Sequence, residues 1–332
     1  MRRLAATIEQ LDLALEHLSK GDANNARFAL MLIDNLTEIT LHNFAEGNRR
    51  EHQHRYRYRD KGTPLSPLLV DALNRNFDPK VKFAHSAGIV TQDAVQSICI
   101  LHQFRNEVYH IGLRYEPILS ALAAFYFVLT CDLHLNCIPR SYSYGTDMKL
   151  PERAIPYFAN DKGHFVRGPE QYKDALVLLR EKALAASPDL QETLGSNLDD
   201  VVEEYDRYID LIATGGPHQT SRDEAVIDSQ AWPFAFSDEG KLYAKQNNCP
   251  PMSVLDHVEW IKANYPWPVK GDPIKGWQRR ADSVRHEKDQ HKALKKFRDF
   301  MDQTETIRDL LTHATMQVEE YIDMEIDRRR GK

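Results

Sequence analysis

The sequence feature that most constrains the fold is an apolar segment in the N-terminal half that carries no charged residue. Residues Ile118–Cys131 read ILSALAAFYFVLTC. A helix needs about 20 apolar residues to span a bilayer, and this segment is shorter. We therefore predict a helix that is buried in a protein core, and we expect no membrane segment.

Apolar residues at helical spacing predict further helices before this segment. A second helix is expected to run from about Asn24 to Phe44, with Leu32, Leu36 and Ile39 facing inward. No alternation typical of strands stands out in the N-terminal half. The first helix has one apolar face, formed by Leu4, Ile8, Leu11, Leu15 and Leu18.

Length and composition indicate a soluble globular protein of two domains or one large domain. Of the 332 residues, 42% are hydrophobic and 28% are charged. The net charge of −6 excludes a basic field over the whole protein, so a nucleic acid would have to bind a local basic patch. Four irregularly spaced cysteines predict reduced thiols and a cytoplasmic location. Acidic residues at Glu9, Asp12 and Glu16 interrupt the first apolar stretch, which argues against a signal peptide.

The C-terminal half is expected to be a separate, mostly helical region, so the predicted fold class is all-α. Prolines and glycines across residues 138–172 predict a linker between a helical bundle at 1–140 and a region of unassigned function at 141–332. A long terminal helix, or a kinked pair, is expected over about residues 282–330. Its apolar stripe fits intrachain core, a coiled-coil dimer contact or a partner protein. The stripe consists of Leu294, Phe297, Met301, Thr304, Ile307, Leu311, Ala314, Val318 and Tyr321.

The segment that best fits a chemical role is His102–Gly112, HQFRNEVYHIG. The guanidinium of Arg105 is always positively charged and can donate several hydrogen bonds to a phosphate. His110 can transfer a proton near neutral pH. RNA cleavage without a metal requires a group that neutralises the phosphate and a group that transfers a proton. An arginine with four to six residues between it and a following histidine occurs six times in the chain. Of these six pairs, only the one that begins at Arg105 has an asparagine, Asn106, directly after the arginine. It is also the only one with apolar helical segments on both sides.

Arg105-Asn106 followed by His110, closing one helix and preceding another, resembles the RN-xxx-H signature of HEPN domains. Upstream, Leu32–His42 (LIDNLTEITLH) resembles the first-half helix of that family, which often carries a polar Asp-Asn and Glu. The resemblance covers roughly residues 1–140. It implies a four- or five-helix bundle, usually dimeric, with metal-independent endoribonuclease activity. The family includes toxins, antiphage nucleases, anticodon nucleases and RNA-cleaving CRISPR effectors.

The spacing of the motif restricts how it could act. On a continuous helix Arg105 and His110 point about 140° apart, so one helix does not aim both side chains at the same phosphate. Either the helix unwinds near Gly112, or two copies pair so that each His110 faces the other chain's Arg105. The resemblance implies the second arrangement.

The mechanistic hypothesis assigns one role to each motif residue. Arg105 holds the scissile phosphate, and His110 acts as general base or general acid. Asn106 orients the histidine or donates to the phosphate. Tyr109 either contacts the substrate or packs in the core. The products would carry 2′,3′-cyclic phosphate and 5′-OH ends.

Two groups outside the motif are candidates for supporting roles. Asp34 and Glu38 lie four residues apart and share a helix face; they either orient Arg105 or His110, or form a solvated face. Residues 47–60 interleave arginine with tyrosine, which suits phosphate contact and base stacking. A solvated helix extension, a loop or a short extended segment are alternatives. The candidate RNA-binding residues are Arg49, Arg50, Arg55, Tyr56, Arg57, Tyr58 and Arg59.

We predict no metal site and no cofactor. His286 and His291 are five residues apart and so leave one helix face. Cys131, His134 and Cys137 have helical spacing, but a packed helix end explains them better than a metal does.

The predicted function is a metal-independent endoribonuclease that acts as a toxin or antiphage effector on RNA, as a homodimer with a composite site. The alternative is a catalytically inactive HEPN-like adaptor, or a nucleotide- or RNA-binding regulatory module. In that alternative the C-terminal helix binds a regulatory protein.

Overall fold

The computed structural model describes residues 2–58, 64–111, 115–138, 150–158 and 169–331. Every regular element in these ranges is helical, which confirms the all-α prediction. Two short 3₁₀ turns, Glu116–Ile118 and Glu152–Ala154, precede α6 and α7. The α-helices are α1 Arg2–Ser19, α2 Ala23–Tyr58, α3 Pro67–Ala72, α4 Phe77–Ser86, α5 Gln92–Ile111, α6 Leu119–Asn136, α7 Ile155–Phe158, α8 Pro169–Ala186, α9 Leu190–Gly215, α10 Arg222–Phe236, α11 Asp238–Gln246, α12 Val254–Asn264, α13 Ile274–Arg285 and α14 Gln290–Arg329.

The described chain forms two compact units. The first consists of residues 1–193 and 287–295, and the second of residues 194–286 and 296–332. The first unit continues past residue 140 because α8 packs against both α1 and α6.

Helix α6 is the buried centre of the first unit, as its composition predicted. It packs against α1, α2, α5 and α8. Among the described helices only the segment Glu116–Asn136 is long and apolar enough to cross a membrane, and 83% of its apolar window is buried inside the chain. That burial is typical of the core helix of a soluble protein.

Helix α2 differs from the prediction in its length and in the face that it buries. It continues to Tyr58 rather than ending near Phe44, so the alternative of an extended segment is wrong as far as Tyr58. Ile39 was expected inside but is 44% exposed. Two polar residues, Asp34 and Thr37, are completely buried on the inward face. The predicted face was drawn from apolar residues alone, so it left Asp34 open between the interior and a solvated face and did not include Thr37.

A buried histidine joins α6 to α2 and α8. Hydrogen bonds connect His134 Nε2 to Thr40 Oγ1 at 3.1 Å and His134 Nδ1 to the Tyr172 hydroxyl at 2.9 Å. Burial, with a smaller contribution from the positive charge of Arg3, lowers the pKa of His134 to about 3. The imidazole therefore stays neutral inside the fold.

This histidine predicts a loss of stability in mild acid. The unfolded chain binds a proton at His134 below its ordinary pKa of 6.5, whereas the folded chain does not until about pH 3. Stability is therefore present above pH 6.5 and falls as pH drops towards 3, by about 1.4 kcal/mol per pH unit from this group. Between pH 7 and pH 5 we expect wild type to lose about 2 kcal/mol more than His134→Gln in urea unfolding. An exposed histidine, His85, provides the control His85→Gln, which should keep the wild-type slope; equal slopes for all three proteins would contradict the prediction.

The second unit has its own aromatic core. Trp267 is buried with Val258 and Ile261 of α12. Arg222, at the start of α10, pairs with Asp206 at 2.5 Å and with Asp272 at 2.7 Å.

The apolar stripe of the terminal helix is intrachain core over most of its length. The helix begins at Gln290, after a break that separates it from α13. The members of the stripe from Leu294 to Leu311 are buried, whereas Ala314, Val318 and Tyr321 are half-buried. Beyond the stripe, Met324 is 65% exposed.

Candidate functional site around Asp34

The motif lies on α5, a regular helix whose inward face is apolar. Thr91 caps it, since its hydroxyl accepts a hydrogen bond from the Ala94 amide at 3.2 Å. Its buried apolar residues recur every three or four positions, which is the helical period. They are Val95, Ile98, Leu101, Phe104 and Val108.

The centre of the site is the carboxylate of Asp34 on α2, which is fully buried. Oδ1 accepts hydrogen bonds from His102 Nδ1 at 2.8 Å and from the Tyr126 hydroxyl at 2.9 Å. Oδ2 accepts one from Arg105 Nε at 2.7 Å. A buried carboxylate is stable only when charge and hydrogen bonds compensate its lost hydration. Helices α5 and α6 supply both kinds of compensation here.

Arg105 is held at two points, and its side chain remains partly exposed. Besides the bond to Asp34, its Nη1 donates to Asn106 Oδ1 at 2.8 Å. The side chain is 24% exposed. Among the described residues Nη2 has no hydrogen-bond partner. That leaves one edge of a fixed guanidinium free to bind an anion.

His102 is one of two residues of the site that sequence reasoning missed, the other being Tyr126. His102 precedes Arg105 by three residues, so the two share a face of α5, and that spacing was a usable signal. Phe77 of α4 stacks on the ring, with centroids 3.8 Å apart and planes 5° apart. The side chain is 15% exposed.

Tyr126 contributes a hydroxyl that stays protonated. Complete burial, followed by the negative charge of Asp34, raises the pKa of Tyr126 well above its ordinary value of 10.0. The phenol therefore remains a donor to Asp34. Nearby, the hydroxyls of Thr37 and Thr130 share a hydrogen bond of 2.7 Å.

His110, the histidine of the motif, is not among the residues that bond to Asp34. His110 is exposed, and its ring contacts that of its neighbour Tyr109 at 5.0 Å between centroids. Tyr109 is 59% exposed and so does not pack in the core. Because α5 stays helical to Ile111, Arg105 and His110 remain about 140° apart on it. Within the described part of one chain, Asn106 bonds to Arg105 and not to His110.

The other predicted carboxylate is not at this centre. Glu38 is half-buried, and its charge acts on the ammonium of Lys80. Burial lowers the pKa of Lys80, while Glu38 opposes that shift. Lys80 Nζ donates to the carbonyls of Asn74 at 2.7 Å and Asn76 at 2.8 Å. Of the pair, only Asp34 therefore contacts Arg105.

The predicted RNA-binding segment is the last part of α2. Arg49 is half-buried and pairs with Glu46 at 2.8 Å, whereas Arg50 is exposed. Residues 55–58 continue the helix. The side chains of Arg55, Tyr56, Arg57 and Tyr58, and all of Arg59, lie outside the described residues.

The described ranges contain no group of three or more His, Cys, Asp or Glu side chains that could hold a metal ion. At the end of α6, both ring nitrogens of His134 are already hydrogen-bonded. Burial raises the pKa of Cys137 to about 12, so its thiol stays protonated. These residues are a packed helix end.

Comparisons of the chain with protein-family models, with curated proteins and with solved structures each gave no match. The resemblance to HEPN domains therefore rests on the sequence motif alone.

Proposed function

We propose that this chain is a metal-independent endoribonuclease of the HEPN type, a cytoplasmic toxin or antiphage effector that cleaves RNA. The observation that carries the proposal is the hydrogen bond between Arg105 and the buried Asp34. A buried carboxylate fixes the arginine of the motif, and the arginine side chain stays 24% exposed. A preorganised cation of this kind suits the charge that develops on a phosphate during cleavage.

In the proposed reaction Arg105 holds the scissile phosphate and Asn106 keeps the guanidinium in place. His110 reaches the same phosphate from a second copy of the chain, because one helix cannot direct both side chains to it. The exposed position of His110 near the end of α5 leaves it accessible to a second copy. The last part of α2, beginning with Arg49 and Arg50, would contact the RNA backbone.

The second candidate is a catalytically inactive adaptor that binds a protein partner. A groove of about 530 Å³ in the second unit favours it. The groove lies between α10 and α14 and is lined by Trp232, Phe236, Val318 and Tyr321, among others. Trp232 and Phe236 are 42% and 49% exposed.

Cleavage of RNA in EDTA distinguishes the two candidates. We expect wild type to cleave, and His110→Ala and Arg105→Ala each to lose about 10²- to 10⁴-fold in rate, which is the usual contribution of a positioned proton-transfer or charge-stabilising group. Product analysis should show 2′,3′-cyclic phosphate ends.

His85→Ala and Arg75→Ala are the matched controls and should retain wild-type rates, since neither residue belongs to the motif. Equal cleavage by wild type and both motif variants would refute the assignment of Arg105 and His110. An inert wild type, indistinguishable from its variants on every RNA tested, would favour the adaptor.

A further inference from the structure

Asp34 holds two side chains of α5 that are three residues apart. His102 uses Nδ1 and Arg105 uses Nε in bonds to this one carboxylate. Among the described residues, His102 Nε2 and Arg105 Nη2 have no hydrogen-bond partner. A basic nitrogen and a fixed cation are therefore available on one face of one helix.

The environment of His102 suits a proton acceptor. A carboxylate bonded to Nδ1 favours the tautomer with the hydrogen on Nδ1, so Nε2 carries the free electron pair. The same carboxylate stabilises the imidazolium that forms once Nε2 has accepted a proton. Phe77 stacks on the ring and fixes its plane. Asp34 and Phe77 are thus positioning residues for His102.

We infer that His102 is a second proton-transfer residue, which takes the proton of the ribose 2′-OH while Arg105 binds the phosphate. This inference rests on the proposed nuclease function. The ligand class is a phosphodiester that carries an adjacent hydroxyl. Because His102 and Arg105 belong to one chain, each chain supplies both the phosphate-binding cation and the base.

The reaction requires two proton transfers, and the two histidines divide them. The 2′-oxygen forms a bond to phosphorus, and its proton goes to His102 Nε2. The bond from phosphorus to the 5′-oxygen breaks, and that oxygen takes a proton from His110 of the second copy. A 2′,3′-cyclic phosphate and a 5′-OH result, with no net change in protons.

The test compares His102→Asn with wild type. Asparagine places its amide nitrogen near the position of Nδ1, so it still donates to Asp34, but it has no counterpart of Nε2. We expect RNA cleavage in EDTA to fall about 10²- to 10⁴-fold. Binding of the same RNA with 2′-deoxy substitution at the cleavage site should change by less than about threefold, since Arg105 remains in place. The matched control is His85→Asn on α4, which should cleave at the wild-type rate.

A second measurement does not depend on turnover. The ring signals of His102 are followed by NMR during titration with inorganic phosphate. Phosphate should shift them in wild type and leave them unchanged in Arg105→Ala.

Four outcomes separate the inference from the nuclease function. If His102→Asn loses cleavage and phosphate shifts the His102 ring signals in wild type, both the nuclease function and the role of His102 are supported. Retained cleavage in His102→Asn beside an inactive His110→Ala overturns the role of His102 and leaves the nuclease intact. If phosphate shifts the His102 ring signals but wild type cleaves no RNA, the anion site is supported. The nuclease function and the role of His102 as a base are then overturned. If wild type neither cleaves RNA nor shows a phosphate-dependent shift, both the nuclease function and the role of His102 are overturned.

Discussion

Asp34→Ala is expected to destabilise the first unit by about 3–5 kcal/mol, the usual result of removing one partner from a buried ion pair. The reason is that three donors converge on this carboxylate, from His102, Arg105 and Tyr126. Alanine would leave the guanidinium without its counter-charge and the buried Tyr126 hydroxyl without its acceptor.

Asp34→Asn should also destabilise the protein, because an amide presents hydrogens where three donors already point. Urea unfolding at pH 7 measures both effects. The exposed Asp71 gives the control Asp71→Ala, which we expect to lie within about 0.5 kcal/mol of wild type. A loss below about 1 kcal/mol in Asp34→Ala would show that the network does not hold the helices together.

Mixing two inactive variants is expected to restore about a quarter of the wild-type cleavage per site, if the active site is shared between two copies as proposed. Arg105→Ala still carries His110, and His110→Ala still carries Arg105. Half of the dimers formed on mixing contain one chain of each kind. In each of these, one of the two composite sites contains both residues and the other contains neither.

Denaturing and refolding the two variants together gives the chains the opportunity to exchange, and cleavage in EDTA is then compared with each variant refolded alone. The double variant carrying both substitutions, refolded with His110→Ala, is the matched control, because no dimer in that mixture contains a site with both Arg105 and His110. Restored activity requires sites formed from two chains. An inactive mixture, with mixed dimers demonstrated by differently tagged chains, would place Arg105 and His110 in one chain and overturn the composite site.

The helices themselves follow from local patterns in the sequence. The burial of α6 was predicted from composition, and the terminal helix was predicted from its stripe, because helical periodicity depends on residues three and four positions apart. The sequence also identified Arg105 and Asp34 as candidates. It left open whether Asp34 faces α5 or solvent, and it assigned no role to His102.

The sequence alone determined the fold class and the position of the motif, since composition and spacing are local properties. Only the tertiary structure decided which polar residues are buried. The bonds to Asp34 span 68, 71 and 92 residues of sequence. Burial of this carboxylate is tolerated because α5 and α6 bring compensating donors to it. Local periodicity cannot show that convergence, and it therefore placed Ile39 inside and overlooked His102.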